Sequence, residues 1–332
     1  MALSSSRQLL DIFQSTFSVQ PLLAGFASLG ALSAAYALAR GVRFLTTHFL
    51  KSDLSSRYCD EAHCWALVTG ASDGLGRGFA EELLSHGFNV ILHGRNHAKL
   101  ERVKVELIAQ WPARDIDIVV LDAMKDVDDP TRMMEAIRAL CGRKIKILIN
   151  NVAGELHPLF LSHAEGSAER NRRLMNGNFI FATELTRLLL PQLIENKPSH
   201  IMNIGSGSAN LPCPYIAVAA ASKSFLASFS KTLAAEMVAE GHPEVEVLYN
   251  LVGLCSTNSE PRSVTFLVPS SRQFAKSSLK LIGHGHRSIW GYWPHALQFE
   301  TLFLLPTKLV ERLCIGLVRD LRAEYDHRRK EA

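Results

Sequence analysis

Between Trp65 and Ala80 the chain reads Trp-Ala-Leu-Val-Thr-Gly-Ala-Ser-Asp-Gly-Leu-Gly-Arg-Gly-Phe-Ala, a text that few folds can accommodate. Trp65 to Val68 is a short apolar run suited to a buried strand. Phe79, Ala80, Leu83 and Leu84 then recur at helical spacing. Gly70, Gly74 and Gly76 fall between the two and permit a tight turn that a ligand can approach closely. The N–H groups that open the next helix, together with its dipole, favour a negative charge at that turn. Strand, glycine turn and helix predict a pyrophosphate site held by Gly70, Ser72, Gly74, Leu75 and Gly76.

The remaining text predicts an alternation of strands and helices: strands at Asn89–Gly94, Ile116–Leu121, Ile145–Ile149, His200–Ile204 and Glu244–Asn250, with amphipathic helices between them. That pattern implies an α/β fold with a doubly wound parallel sheet, helices on both faces, and the cofactor across the C-terminal strand ends. NAD-specific folds of this kind end the second strand in an acid. Here Gly94 is followed by Arg95, which suits a ribose 2′-phosphate and so NADP(H), the alternative being a solvated loop arginine. Asp73, just before Gly74, would not help that phosphate.

The form Thr69-Gly70-x-x-x-Gly74-x-Gly76 resembles the short-chain dehydrogenase/reductase family, a Rossmann-type fold that binds nicotinamide cofactors. The resemblance covers roughly residues 40 to 325 and is nearest to the membrane-bound branch of very-long-chain 3-ketoacyl-CoA reductases and 17β-hydroxysteroid dehydrogenase-like proteins. It implies that Asp122 contacts adenine, although a loop cap explains that residue equally well. Asn150-Asn151-Val152-Ala153-Gly154 resembles the family's Asn-Asn-x-Gly turn with one extra residue, which leaves Asn150 and Asn151 as rival registers. Asn178 matches the helical Asn of the proton relay, and Thr257 the Thr that meets the nicotinamide amide. Ser206 and Lys223 keep the spacing of the catalytic Ser, which polarises the carbonyl, and the Lys, which holds the ribose. The catalytic Tyr one helical turn before that Lys is missing: its position is Ala219. Tyr215, one turn earlier still, is the substitute that lies nearest in sequence.

The ends depart from a soluble enzyme. Ile12 to Ala39 contains no Asp, Glu, Lys or Arg, long enough to cross a bilayer, and Arg40, Arg43, Lys51 and Arg57 follow it. The positive-inside rule then puts the main domain in the cytosol. A cleaved signal peptide at Ala35-Tyr36-Ala37 and a one-leaflet hairpin are the rivals. The expected organisation is a membrane anchor at 1–50, a dinucleotide-binding domain at 60–265, and a substrate-side, membrane-proximal extension at 266–332. The aromatic tail around Gly291–Leu305 suits either a lipid-facing patch or plain core packing. Arg328-Arg329-Lys330 loosely resembles a basic retrieval signal for the endoplasmic reticulum. Net charge is only +4 across 332 residues, without basic clusters interleaved with aromatics, so no nucleic-acid partner is expected. The six scattered cysteines read as reduced thiols. The expected partners are a lipophilic small-molecule substrate and a membrane, and a homodimer is compatible with the resemblance. Three readings stay open: an NADPH-dependent ketoreductase, a non-catalytic NADP(H) binder, and a scaffold without cofactor.

Overall fold

The computed structural model describes residues 19–50, 54–59, 63–153 and 160–331, and the chain divides into two units, Met1–Leu50 and Lys51–Ala332. Among the described residues the first unit is one helix, α1 (Val19–Phe49). Its stretch Leu23–Phe49, 27 residues, is long and apolar enough to cross a membrane, and its side chains are almost all exposed. The helix does not stop at Arg40 and Arg43, because nothing in a cation breaks a helical ladder. The start of the predicted apolar segment, Ile12 to Ser18, lies outside the described residues, and so does Gly154 of the Asn-rich turn. The side chains of Arg328, Arg329 and Lys330 lie outside them too.

The second unit begins with α2 (Leu54–Tyr58) and then alternates strand and helix. The elements are β1 (Cys64–Val68), α3 (Gly74–Ser85), β2 (Asn89–Gly94), α4 (His97–Gln110), β3 (Ile116–Val120), α5 (Pro130–Arg138) and β4 (Lys144–Asn150). There follow α6 (Ala168–Met175), a π-turn (Asn176–Ile180), α7 (Phe181–Glu195), β5 (Ser199–Ile204), α8 (Ala217–Ala239) and β6 (Val245–Leu251). The unit closes with α9 (Ser271–Leu279), β7 (Ser288–Trp290), α10 (Trp293–Leu302) and α11 (Thr307–Glu331).

All seven strands are parallel, in the order β3-β2-β1-β4-β5-β6-β7. Residues of β2, β4, β5 and β6 are almost entirely buried, as a parallel sheet covered on both faces requires. Phe79, Leu83, Leu100, Phe274 and Leu279 of α3, α4 and α9 fill one face, and Met133, Leu185, Leu189, Leu233 and Met237 of α5, α7 and α8 fill the other. The helices start where short polar side chains cap them, as Asp73, Asn96, Asp129 and Ser270 do. The strand order reverses between β1 and β4, which is where a doubly wound sheet opens its ligand crevice.

The sheet continues past residue 265, since β7 forms its edge and α9 packs on α3. Gly78 makes that packing close: a Cβ there would stand 2.8 Å from the Ser271 backbone. The aromatic tail divides. Trp290 is buried and stacks on Phe299 at 4.1 Å, whereas Phe303, Leu304 and Leu305 are exposed. One expectation is corrected: Cys59 and Cys64 are joined as a disulfide with Cα atoms 5.4 Å apart, because α2 folds back to the start of β1. Cys141, Cys213, Cys255 and Cys314 are free.

Candidate active site

The fingerprint turn is assembled by contacts from three strands. Thr69 ends β1, and its Oγ1 accepts the N–H groups of Asn151 and Val152 at 2.8 and 3.1 Å. Gly70 turns with φ +65°, and a Cβ on Gly76 would stand 2.2 Å from the Gly70 carbonyl oxygen, so only glycine closes this turn. The Gly70 N–H donates to Nδ1 of His93 at the end of β2, at 3.3 Å. Burial pushes the His93 imidazole down to about 4, which keeps that nitrogen free to accept. Ser72, Gly74 and Leu75 stand partly exposed on the turn.

Asp73 caps α3, accepting the Gly74 N–H at 2.7 Å. Its other oxygen takes the Lys99 ammonium at 2.7 Å, so the carboxylate that argued against a 2′-phosphate is already neutralised. Lys99 stands in the first turn of α4, four residues after Arg95, which is exposed directly after β2. Two cations therefore border the end of β2. A compact glycine turn, a helix start with N–H groups that lack intrahelical partners and a pair of cations fit a dinucleotide phosphate group.

The other predicted residues separate. Asp122 follows β3 and caps its own loop: Oδ1 accepts the Met124 N–H at 3.0 Å. Asn150 is buried, and its amide donates to Thr186 Oγ1 and Asn203 Oδ1 at 3.0 and 2.8 Å, tying β4 to α7 and β5. Asn151 is the residue at the fingerprint turn, where its amide donates to the Thr69 carbonyl at 3.0 Å. Thr257 lies against Gly74, where a Cβ would meet its methyl at 3.5 Å, and its hydroxyl accepts the Glu260 N–H.

The candidate catalytic residues gather where β5 ends and α8 begins. Ser206 caps the turn that follows, and its Oγ accepts from the Ser208 N–H and hydroxyl at 3.2 and 2.9 Å. Lys223 on α8 is buried, and its Nζ donates to the Ile204 carbonyl at 2.8 Å. Desolvation pushes that ammonium down to about 8. Asn178 sits in the π-turn that breaks the helix between α6 and α7, and its amide donates to Ser222 Oγ at 2.8 Å. Ser222 in turn donates to the Ala219 carbonyl at 2.7 Å. A π-turn of this kind frequently marks a functional position.

Ala219 lines a cavity of about 350 Å³, walled also by Leu161, Leu174, Tyr215, Ile315 and Arg319. Tyr215 has a left-handed φ of +67°, and its ring lies under the Arg322 guanidinium at 4.5 Å. The cavity is thus closed by α11, which Arg322 also pins to Glu165 at 3.6 Å.

Four further residues shape the site without having been read from the sequence. Besides Lys99 and His93, Tyr249 on β6 donates its hydroxyl to the Lys223 carbonyl at 3.0 Å and accepts the Ser206 N–H at 3.3 Å. His295 on α10 accepts the Gly253 N–H at Nδ1, while Nε2 lies 3.2 and 3.1 Å from the Leu254 and Leu267 carbonyl oxygens. It clasps the segment that carries Thr257. Only Lys99 had a visible signal, its place in the first turn of the helix that follows Arg95.

A family model for the short chain dehydrogenases matches residues 64–265. A very-long-chain 3-oxoacyl-CoA reductase of Podospora anserina is 33% identical over 265 residues, covering 80% of this chain and 76% of that one. The human protein named inactive hydroxysteroid dehydrogenase-like protein 1 is 31% identical over 262 residues, 78% of each chain. Among solved structures, a 7β-hydroxysteroid dehydrogenase superposes with a TM-score of 0.66 at 17% identity, over 80% of this chain and 99% of that one. The chain belongs to the short-chain dehydrogenase family, in the branch of the very-long-chain 3-oxoacyl-CoA reductases and hydroxysteroid dehydrogenase-like proteins.

Proposed function

We propose that this chain is a membrane-bound, NADP(H)-dependent reductase of a lipophilic carbonyl, of the 3-oxoacyl, steroid or polyketide-like class, working without the usual phenol. The observation that carries the reading is Lys223. Removing an ammonium from water costs several kcal/mol, and the Ile204 carbonyl offers it only one neutral acceptor. Such a buried ammonium, held at the end of β5 one helical turn from Ala219 and with a depressed pKa, is a candidate for chemistry rather than for packing. Arg95 and Lys99 would hold the 2′-phosphate, the Gly70–Gly76 turn the pyrophosphate, and Lys223 the ribose. NADPH, when bound, supplies the hydride.

The chain's own residues then have to manage one oxygen and one proton. The Ser206 hydroxyl donates to the carbonyl oxygen as negative charge develops there. Lys223 stabilises that charge electrostatically, and with its pKa lowered to about 8 its ammonium can give up the proton that turns the alkoxide into the product hydroxyl. Asn178 holds Ser222 and through it the turn of α8 that carries Ala219. The apolar wall of Leu161, Leu174 and Ile315 suits the hydrocarbon part of such a substrate. The helix α1 anchors the chain in a membrane, taken to be that of the endoplasmic reticulum. Arg40 and Arg43 near its end favour a cytosolic domain.

A second reading, a non-catalytic NADP(H) binder, is favoured by two observations: Ala219 itself, and the Tyr215 ring engaged with Arg322. The test is NADPH consumption by the full chain in detergent or nanodiscs with a panel of long-chain 3-oxoacyl thioesters and steroid ketones. Slow turnover that yields the hydroxy product supports the reductase. Tight NADPH binding without any product leaves the binder.

A further inference from the structure

Among the described residues, the longest run of exposed apolar side chains in the second unit starts at the turn between α10 and α11. Leu304 in that turn is 84% exposed, with Phe303 and Leu305 beside it at 43% and 39%. Leu309, Leu313 and Leu317 continue along α11 at one-turn spacing, each more than 40% exposed. The core does not need this stripe, because Val310, Cys314 and Val318, one position on, are the residues that α11 buries. A second, shorter group, Val264, Phe266 and Leu267, is exposed in the loop before α9, whereas residues such as Val105 stand singly, and single ones need no explanation. A contiguous patch does.

We infer that the α10–α11 turn and the leucine face of α11 lie in the headgroup layer of the bilayer, as a second membrane contact. The inference rests on the reading of α1 as a membrane anchor. The two units are joined through residues 50–53, so an anchor in a bilayer keeps the domain at its surface. Lys308 and Arg312 flank the leucine stripe, placed so that their stems run along acyl chains and their charges meet lipid phosphates. Asp320 ends the stripe, so it is the N-terminal half of the helix, with its turn, that enters. An amphipathic helix of this kind buries its apolar face about 5–10 Å into the interface. The same helix walls the cavity at Ala219 through Ile315 and Arg319, so lipid contact on one side of α11 adjoins the site on the other. A lipophilic substrate would then reach the cavity from the membrane rather than from water.

The experiment uses the full chain in vesicles of phosphatidylcholine with phosphatidylserine as the minor lipid. A photoreactive benzoylphenylalanine replaces Leu304, Leu313 or, as an exposed apolar control on α4, Val105. After irradiation, lipid adducts are counted by mass spectrometry, and carbonate extraction is run in parallel to report on α1 alone. The expected result is about tenfold more lipid adduct at 304 and 313 than at 105, in chains that resist carbonate. Carbonate-resistant chains with no excess at 304 and 313 overturn this inference and leave the anchor standing. Adducts to a second chain instead of lipid overturn it in favour of an interface between copies. If carbonate removes the chain, the anchor reading has failed. Adducts at 304 then carry the surface alone, and their absence sinks both.

Discussion

Replacing Ala219 with tyrosine puts an acid back where the family pattern has one, and the structure sets what it can do there. Ala219 lines a cavity of about 350 Å³, within the roughly 300–1,000 Å³ of small-ligand pockets, so a phenol enters without displacing backbone. Lys223 lies one helical turn further on the same face, and its ammonium favours the phenolate and lowers the phenol pKa. Ser206, already oriented by its cap, would polarise the same oxygen. A positioned general acid contributes roughly 10² to 10⁴ in rate, about 3–5 kcal/mol of barrier. Ala219→Tyr should therefore raise kcat/KM for ketone reduction by at least about 10², followed as NADPH consumption against product formed. Ala219→Phe adds the same bulk without the proton and is the control. Two results refute the reasoning: a Phe variant that gains as much as the Tyr variant, or a Tyr variant that binds NADPH unchanged and gains nothing.

Cofactor choice should rest on two cations. Charge-assisted contacts contribute about 1.5–3 kcal/mol each, so Arg95→Ala or Lys99→Ala should shrink the NADPH-over-NADH preference roughly tenfold by calorimetry. Equal affinity for the two cofactors in the parent chain would contradict both assignments. Lys223 is an ammonium below about pH 8 and neutral above it, so turnover should fall as pH rises through that value. A profile flat to pH 10 would remove Lys223 from the chemistry. His93 is neutral in the fold, whereas the unfolded chain gains its proton below about pH 6.5. Stability should thus be full above pH 6.5 and decline toward pH 4, by about 3 kcal/mol. Urea unfolding of His93→Asn should show a correspondingly shallower loss, and an identical loss in both chains would acquit His93.

What could be read in advance was whatever is written locally. The strand, glycine turn and helix from Cys64 to Ser85 are specified by residues that touch one another within a few positions, and the structure returns them. Ser206 and Lys223 were legible only through the spacing of the family pattern they resemble, since the helix that carries Lys223 begins at Ala217, past Ser206. The choice between Asn150 and Asn151 was not, because successive residues at a strand end point to opposite faces. Only the β4–β5 register and the Thr69 hydroxyl decide which of them meets the turn. Tyr249 was invisible for a different reason. It reads as one more apolar residue of β6, and its role comes from Gly205, where any Cβ would stand 2.3 Å from its ring.

The same argument bears on Ala219, whose loss of the phenol is plain in the text while its surroundings are not. Its cavity is walled by Leu161, Tyr215 and Ile315, from three segments far apart in the chain, the last on a helix that no periodicity ties to the site. Tyr215 looked like a substitute because it lies one turn before Ala219 on a notional helix. The helix starts only at Ala217, and Tyr215, with its left-handed φ, meets the cavity from the preceding loop with its ring engaged by Arg322. Helical spacing places side chains only where the helix exists. Because Tyr215 shares the cavity while its ring is engaged by Arg322, the Ala219→Tyr and Ala219→Phe pair separates a slow reductase from a binder, and Tyr215→Phe asks whether that ring is the proton source.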